Sequence, residues 1–128
     1  MIEIIEIDKA LLKSLREQTK DSPRLRQNFD LRTSAADTSQ RMLNVLEVGT
    51  QVPIHRHEDT TETVICIEGR LIEIFYEKDD EDFREVARVE LCPREGKYGV
   101  QIPQRVWHTI EVLEPSAIFE AKDGAYKK

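Results

Sequence analysis

His55 and His57 stand two residues apart, Glu62 follows five residues later, and Gly49 and Gly69 bound the stretch. In an extended segment residues i and i+2 share a face, so the two imidazoles are presented side by side. A tight turn over residues 58–61 would return Glu62 beside them on a neighbouring strand. His108 is the one histidine left among the three in the chain. It lies in an alternating run with Ile110 and Val112 on its own face, so it points inward. All three histidines are therefore compatible with a single site. Three imidazoles and a carboxylate suit a borderline divalent ion such as Zn, Ni, Co, Fe(II) or Mn. A closed tetrahedral zinc site would leave no room for substrate, whereas an octahedral ion keeps open positions and can act as a Lewis acid. A structural ion, or a hydrogen-bonded histidine cluster without metal, is the alternative.

The elements around these residues are mostly strands. Asp8 is a good N-cap, and Leu11, Leu12 and Leu15 form a narrow apolar face at helical spacing. The pattern predicts a helix over Lys9–Thr19, ended by Ser22-Pro23 and packed on the outside of the domain. Residues 23–40 read as loop with one short strand at 27–31. From Met42 onward, β-branched and apolar runs alternate with turn residues. Strands are expected at 42–48, 52–57, 62–67, 70–77, 85–91, 100–102, 107–113 and 117–121. Turns are expected at Glu68-Gly69, at Glu114-Pro115-Ser116 and in the acidic run 77–85. Residues 122–128 read as a polar tail. Many short strands with turn punctuation mean a sandwich or barrel. The expected fold is mostly β: an N-terminal arm and helix at 1–22, then a β-barrel at 23–128, in one structural domain.

The 128 residues suffice for one core. A formal net charge of −6 and the lack of a basic stripe argue against a nucleic-acid partner. Cys66 and Cys92 sit in apolar surroundings outside any C-x-x-C pair and read as reduced core thiols. The N-terminus has no basic-then-apolar signal pattern, and no apolar run approaches a membrane span. The expectation is a cytoplasmic protein with no membrane partner.

The chain resembles the cupin superfamily. Gly49, His55, His57, Glu62 and Gly69 match its first motif at every spacing. Pro103 and His108 match its second, although Gly96 is one residue out of place, Arg105 replaces a glycine and Val112 replaces an asparagine. The resemblance implies a single double-stranded β-helix, or jelly-roll barrel, with one divalent metal held by His55, His57, Glu62 and His108. A narrower resemblance is to the WbuC family of cupin-fold metalloproteins, found with bacterial surface-polysaccharide gene clusters. It rests on Arg24-x-Arg26-x-Asn28 after Ser22-Pro23, Gln40-Arg41, Gly49-Thr50, Pro53, Trp107-His108, Glu120 and the run Lys122 to Tyr126.

Sequence assigns no catalytic residue. Arg24, Arg26 and Arg41 are expected at the barrel mouth, where bidentate guanidinium contacts would hold a carboxylate or phosphate. Arg105 and Tyr126 are further candidates for substrate binding, with Tyr76 and Tyr126 able to donate protons. Trp107 should face away from His108 and serve packing. The leading expectation is a metal-dependent enzyme acting on a small polar metabolite such as a sugar or nucleotide sugar, for example an isomerase, epimerase or oxygenase. The others are a non-catalytic metal-dependent sugar-binding or regulatory module, and a metal-independent epimerase using a histidine base and a tyrosine acid. The segment 1–7 is suited to swap onto a partner, so a homodimer is expected.

Overall fold

Two long strands, β3 (Glu62–Asp79) and β6 (Trp107–Asp123), pair antiparallel from Glu62↔Lys122 to Tyr76↔Trp107 and form the spine of the molecule. The computed structural model describes residues 2–126; Met1 of the expected arm and Lys127 and Lys128 of the expected tail lie outside the described residues. The register of β3 against β6 slips between Cys66 and Leu71, and there both strands bend. On one side of the bend, β5 (Gly99–Ile102) pairs with Glu62–Ile65. There β2 (Ser39–Leu46) also pairs with the end of β6, and β1 (Arg26–Asp30) with β2. On the other side, β4 (Asp82–Leu91) pairs with Leu71–Asp79. A short 3-10 turn, Pro93–Glu95, links β4 to β5.

The slip changes the parity of the inward positions on β3. Glu62, Val64 and Cys66 are buried before it, and Leu71, Glu73 and Phe75 after it. Without that change the second half would turn its polar face inward. Leu46, Val64, Leu71, Phe75, Leu91, Ile102, Val112 and Ile118 then meet in one core, drawn from both halves of the bent sheet. This closure makes the fold a jelly-roll barrel, as expected.

The short strand expected at 27–31 is β1, and five strands replace the eight expected from Met42 onward. The residues read as turns at Gly69 and Pro115 are bends within continuous strands. Gly69 has φ +94°, and a Cβ there would lie 2.3 Å from the Pro115 carbonyl oxygen and 2.4 Å from Ser116 Oγ. Only glycine allows this approach. Ser116 Oγ accepts from the Arg70 amide at 3.1 Å and donates to the Glu114 carbonyl at 2.7 Å, so it satisfies backbone groups that the bend frees.

The expected strand at 52–57 is the second correction. That segment is extended, with a single bridge at His55. Pro53 has no amide hydrogen. The Val52 carbonyl accepts from Thr109 Oγ1, the Pro53 carbonyl from His55 Nδ1, and the His57 carbonyl from the Arg105 amide. Ladder partners are thus replaced by side-chain donors and one isolated amide. The third correction is at the C-terminus: Lys122 and Asp123 belong to β6, paired with Gln40 and Ser39, and not to a tail.

The helix α1 (Lys9–Thr19) has the predicted bounds, and Asp8 caps it by accepting from the Leu11 amide at 2.9 Å. Leu12 and Leu15 pack on Val45 and Ala117, on the outer face of the β1-β2-β6 layer. Their burial contributes about 1.5–3 kcal/mol each. Arg16 adds ion pairs to Glu47 and Glu68. Alternation then assigns the opposite, inner face of this layer: Met42, Asn44 and Leu46 on β2, and Ile118, Glu120 and Lys122 on β6. Cys66 and Cys92 are buried free thiols, and burial pushes Cys66 up to about 11.

Candidate metal centre

His55 and His108 are locked to one another through the backbone: the His55 amide donates to the His108 carbonyl at 3.0 Å, and the His108 amide to the His55 carbonyl at 2.8 Å. Their rings lie 4.4 Å apart between centroids, with His57 at 5.2 Å from His55 and 5.6 Å from His108. Each of the two locked rings has its Nδ1 against a carbonyl, Pro53 at 2.9 Å for His55 and Val106 at 2.8 Å for His108. Nδ1 must therefore carry the proton and donate, which leaves Nε2 with its lone pair. One ligand atom from each of the three histidines falls within 4.8 Å of the others.

Glu62 stands beside this trio, with Oε1 3.4 Å from His108 Nε2 and Oε2 3.9 Å from His57 Nε2. Burial acts to raise its carboxyl, but the Lys122 ammonium, 3.7 Å away, acts against it, and the carboxyl is held below the usual range. Burial also lowers His55, and lowers His57 to about 4, so both are neutral near pH 7 and able to ligate. Nε2 of His57 and Nε2 of His108 are buried and have no hydrogen-bond partner. Orphaned buried nitrogens are costly. Converging lone pairs beside an ionised carboxylate are what a divalent cation requires, so the residues present fit a metal.

The cluster lies in a cavity of about 440 Å³ that also holds Arg24, Arg26, Arg41 and Tyr126 of the sequence candidates. Arg105 is not among its lining residues. Held by its amide to His57, it exposes its side chain 3.9 Å from Glu58 and borders a separate, open depression with Arg56 and Trp107. Trp107 stacks edgewise on Phe83, and the Arg56 guanidinium covers its ring. Tyr76 also borders that depression, away from the histidines.

The arginines differ in what they hold. Arg41 binds the Leu31 and Ser39 carbonyls and Asp37, so it is the clasp of the 31–41 loop. Arg32, not among the sequence candidates for substrate binding, forks onto Asp30 and covers the Tyr126 ring. Arg26 donates to the Gln51 carbonyl, and its pKa is lowered by burial and then by the charge of Arg24. Arg24 forms no side-chain ion pair among the described residues. Two like charges side by side at a cavity are favourable only when an anion joins them.

Sequence reasoning did not single out buried Glu73, and met half-buried Glu120 only through the family resemblance; both carboxyls line the cavity. Burial, and then the Glu62 charge, raise Glu120 to about 7, and its Oε2 accepts from Asn44 at 3.0 Å. Glu73 is 2% exposed and its Oε2 has no partner. Burial pushes its carboxyl well above the ordinary range. Period-2 counting along each strand would have found both. Glu73 falls between inward Leu71 and Phe75, and Glu120 continues the inward series of His108, Ile110 and Val112.

A family model described as a domain of unknown function, DUF6016, matches residues 7–87. The chain belongs to the DUF6016 family. No curated protein matches it in sequence. Among solved structures, the DUF6016 chain is similar to KdgF from Halomonas sp., with a TM-score of 0.60 and 15% identity over 82% of this chain and 84% of that one. It is also similar to an oxalate oxidase in complex with the substrate analogue glycolate, with a TM-score of 0.63 and 13% identity over 80% of this chain and 53% of that one. The capsular polysaccharide assembling protein CapF from Staphylococcus aureus gives a TM-score of 0.59 and 18% identity over 80% of this chain and 27% of that one. The DUF6016 chain thus spans most of KdgF but about half of the oxalate oxidase and a quarter of CapF. These likenesses show the fold, which is that of the cupins. Among the described residues no helix is long and apolar enough to cross a membrane.

Proposed function

We propose that this protein is a metal-dependent cupin enzyme that binds a small anionic metabolite at a centre formed by His55, His57, Glu62 and His108. One observation carries the reading: unpartnered histidine Nε2 atoms and an ionised Glu62 converge in a cavity whose wall also carries the Arg24–Arg26 pair. One divalent transition ion per chain (Zn, Ni, Fe, Mn or Co) would supply Lewis acidity to a ligand oxygen. His55 and His108 orient it through their fixed tautomers, Glu62 offsets its charge, and Arg24 and Arg26 hold the anionic end of the ligand.

A catalytic role is favoured over a binding module because the cavity contains more than arginines and aliphatics. Buried Glu73 and half-buried Glu120 are carboxyls within it, and acids with raised affinity for protons are the equipment of proton transfer. A metal-independent epimerase would have no need for Glu62 beside the histidines.

The WbuC resemblance, together with the capsular role printed for CapF, supports a sugar or nucleotide sugar of surface-polysaccharide synthesis as the ligand. We place the protein in the cytoplasm, with residues 1–22 as arm and helix and 23–128 as barrel of one domain. Its arm exposes Ile2 and Ile4 at 86% and 80%, and we assign it to a homodimer contact. Light scattering of the full chain against one lacking residues 1–7 should show a dimer becoming a monomer; a monomer in both removes the dimer.

The test of function is a thermal-shift screen of metal-stripped and Zn-loaded protein against nucleotide sugars, sugar acids and sugar phosphates. A ligand that stabilises only the loaded form is expected, and equal indifference of both forms would contradict the reading.

A further inference from the structure

Glu73 occupies a position whose strand neighbours are apolar. It lies on β3 between Leu71 and Phe75, which are core residues, and is paired across the sheet with Ile110 and Val89. An aliphatic side chain would satisfy that environment, and a carboxyl there costs desolvation without a compensating bond at Oε2. A residue that breaks the local pattern without compensation in the fold marks function. Phe75 is the strand partner of His108, and Glu73 is the next residue on the same inner face, about 7 Å farther along the strand. Glu73 and the histidines line one cavity, with the Arg24–Arg26 pair in its wall.

We propose that Glu73 is the proton donor of this cavity, delivering its carboxyl hydrogen to an oxygen of a small anionic ligand seated between the histidine cluster and the Arg24–Arg26 pair. The carboxyl O–H bond of Glu73 breaks as an O–H bond forms at the ligand oxygen that gains negative charge. The electron pair of the broken bond stays on Glu73 as a carboxylate, and water returns the proton after the product leaves. The ligand class is an oxyanion-forming hydroxy or keto compound with a carboxylate or phosphate.

The inference rests on the metal reading, so zinc uptake is measured first by calorimetry on the full chain. Infrared difference spectra of the Zn-loaded protein then follow protonated carboxyl bands on addition of glycolate or inorganic phosphate. A band lost in Glu73→Gln, and shifted in the wild type by at least one of the two anions, is the expected result. That anion should bind Glu73→Gln within about threefold of the wild type, since the amide still donates, and Glu73→Leu about tenfold more weakly. If Glu73→Gln does not fold, Glu120→Gln removes the other candidate band and leaves that of Glu73 to be read. Normal zinc uptake with no Glu73 band, or with a band that neither anion moves, overturns the role of Glu73 alone. Failure to take up zinc overturns the metal reading and this inference together.

Discussion

The backbones of His55 and His108 exchange two hydrogen bonds, at 3.0 and 2.8 Å, although His55 belongs to no strand. The main chain therefore fixes the separation of these imidazoles before any metal arrives. Metal binding should then stabilise the protein without reshaping it. At a free zinc concentration a hundredfold above Kd, linkage predicts a gain of about 2.7 kcal/mol. Circular dichroism should stay unchanged while Tm rises, and His108→Ala should abolish the rise. A large change in secondary structure on loading would contradict a preformed site.

Glu62 sits between two calls on its charge, the histidine cluster and Lys122 Nζ at 3.7 Å. Glu62→Gln keeps the shape and removes the charge, so zinc affinity should fall by about tenfold or more. Lys122→Met removes a competing cation and should tighten zinc binding. Calorimetry of both variants checks the opposite signs.

Glu73 should be a burden to stability. Replacing a buried, unsatisfied carboxyl by leucine among apolar neighbours should stabilise the fold by about 1–3 kcal/mol. The gain should depend on pH. The folded carboxyl is raised well above the ordinary glutamate value of about 4.3 by burial, with Glu62 and Glu120 adding to the rise. Between those two values the folded state keeps a proton that the unfolded state has lost, so the wild type loses stability as pH rises through the window. Urea titrations of wild type and Glu73→Leu should show a larger gap at pH 8 than at pH 4, and a pH-independent gap would refute the assignment.

Gly69 is the hinge that lets β3 and β6 bend together. Gly69→Ala forces a Cβ to within 2.3 Å of the Pro115 carbonyl oxygen and a left-handed φ on alanine. Overpacking and the backbone cost together should remove about 3 kcal/mol. For a chain of this size that lowers Tm by roughly 10 °C or more, readable by calorimetry. Gly96→Ala is the control: it also has positive φ, but its Cβ would meet nothing within 4 Å, so the loss should be smaller.

The histidine cluster was largely legible because its members are rare residue types at short spacing. His55, His57 and Glu62 lie within eight positions, and His108 stood on an alternating strand. The helix was legible from Asp8 and three leucines. Strand continuity was not, since Gly69 and Pro115 mark a bend or a turn with the same chemistry, and only the pairing of β3 with β6 distinguishes them. The irregular path of 52–57 was hidden because its carbonyls are taken by Thr109, His55 and Arg105, partners distant in sequence or in side chains. Glu73 escaped notice, and Glu120 was met only through the family resemblance, because acidic residues are common in this chain and only their place in the cavity sets these two apart.

The most direct test of the metal centre is titration of stripped protein with Co(II), followed by visible absorption and calorimetry, beside the His57→Ala and His108→Ala variants. The account predicts one equivalent bound by the wild type, with ligand-field bands of a nitrogen–oxygen site, and loss of both in each variant. Uptake of cobalt that neither substitution disturbs, or no uptake at all, would contradict it.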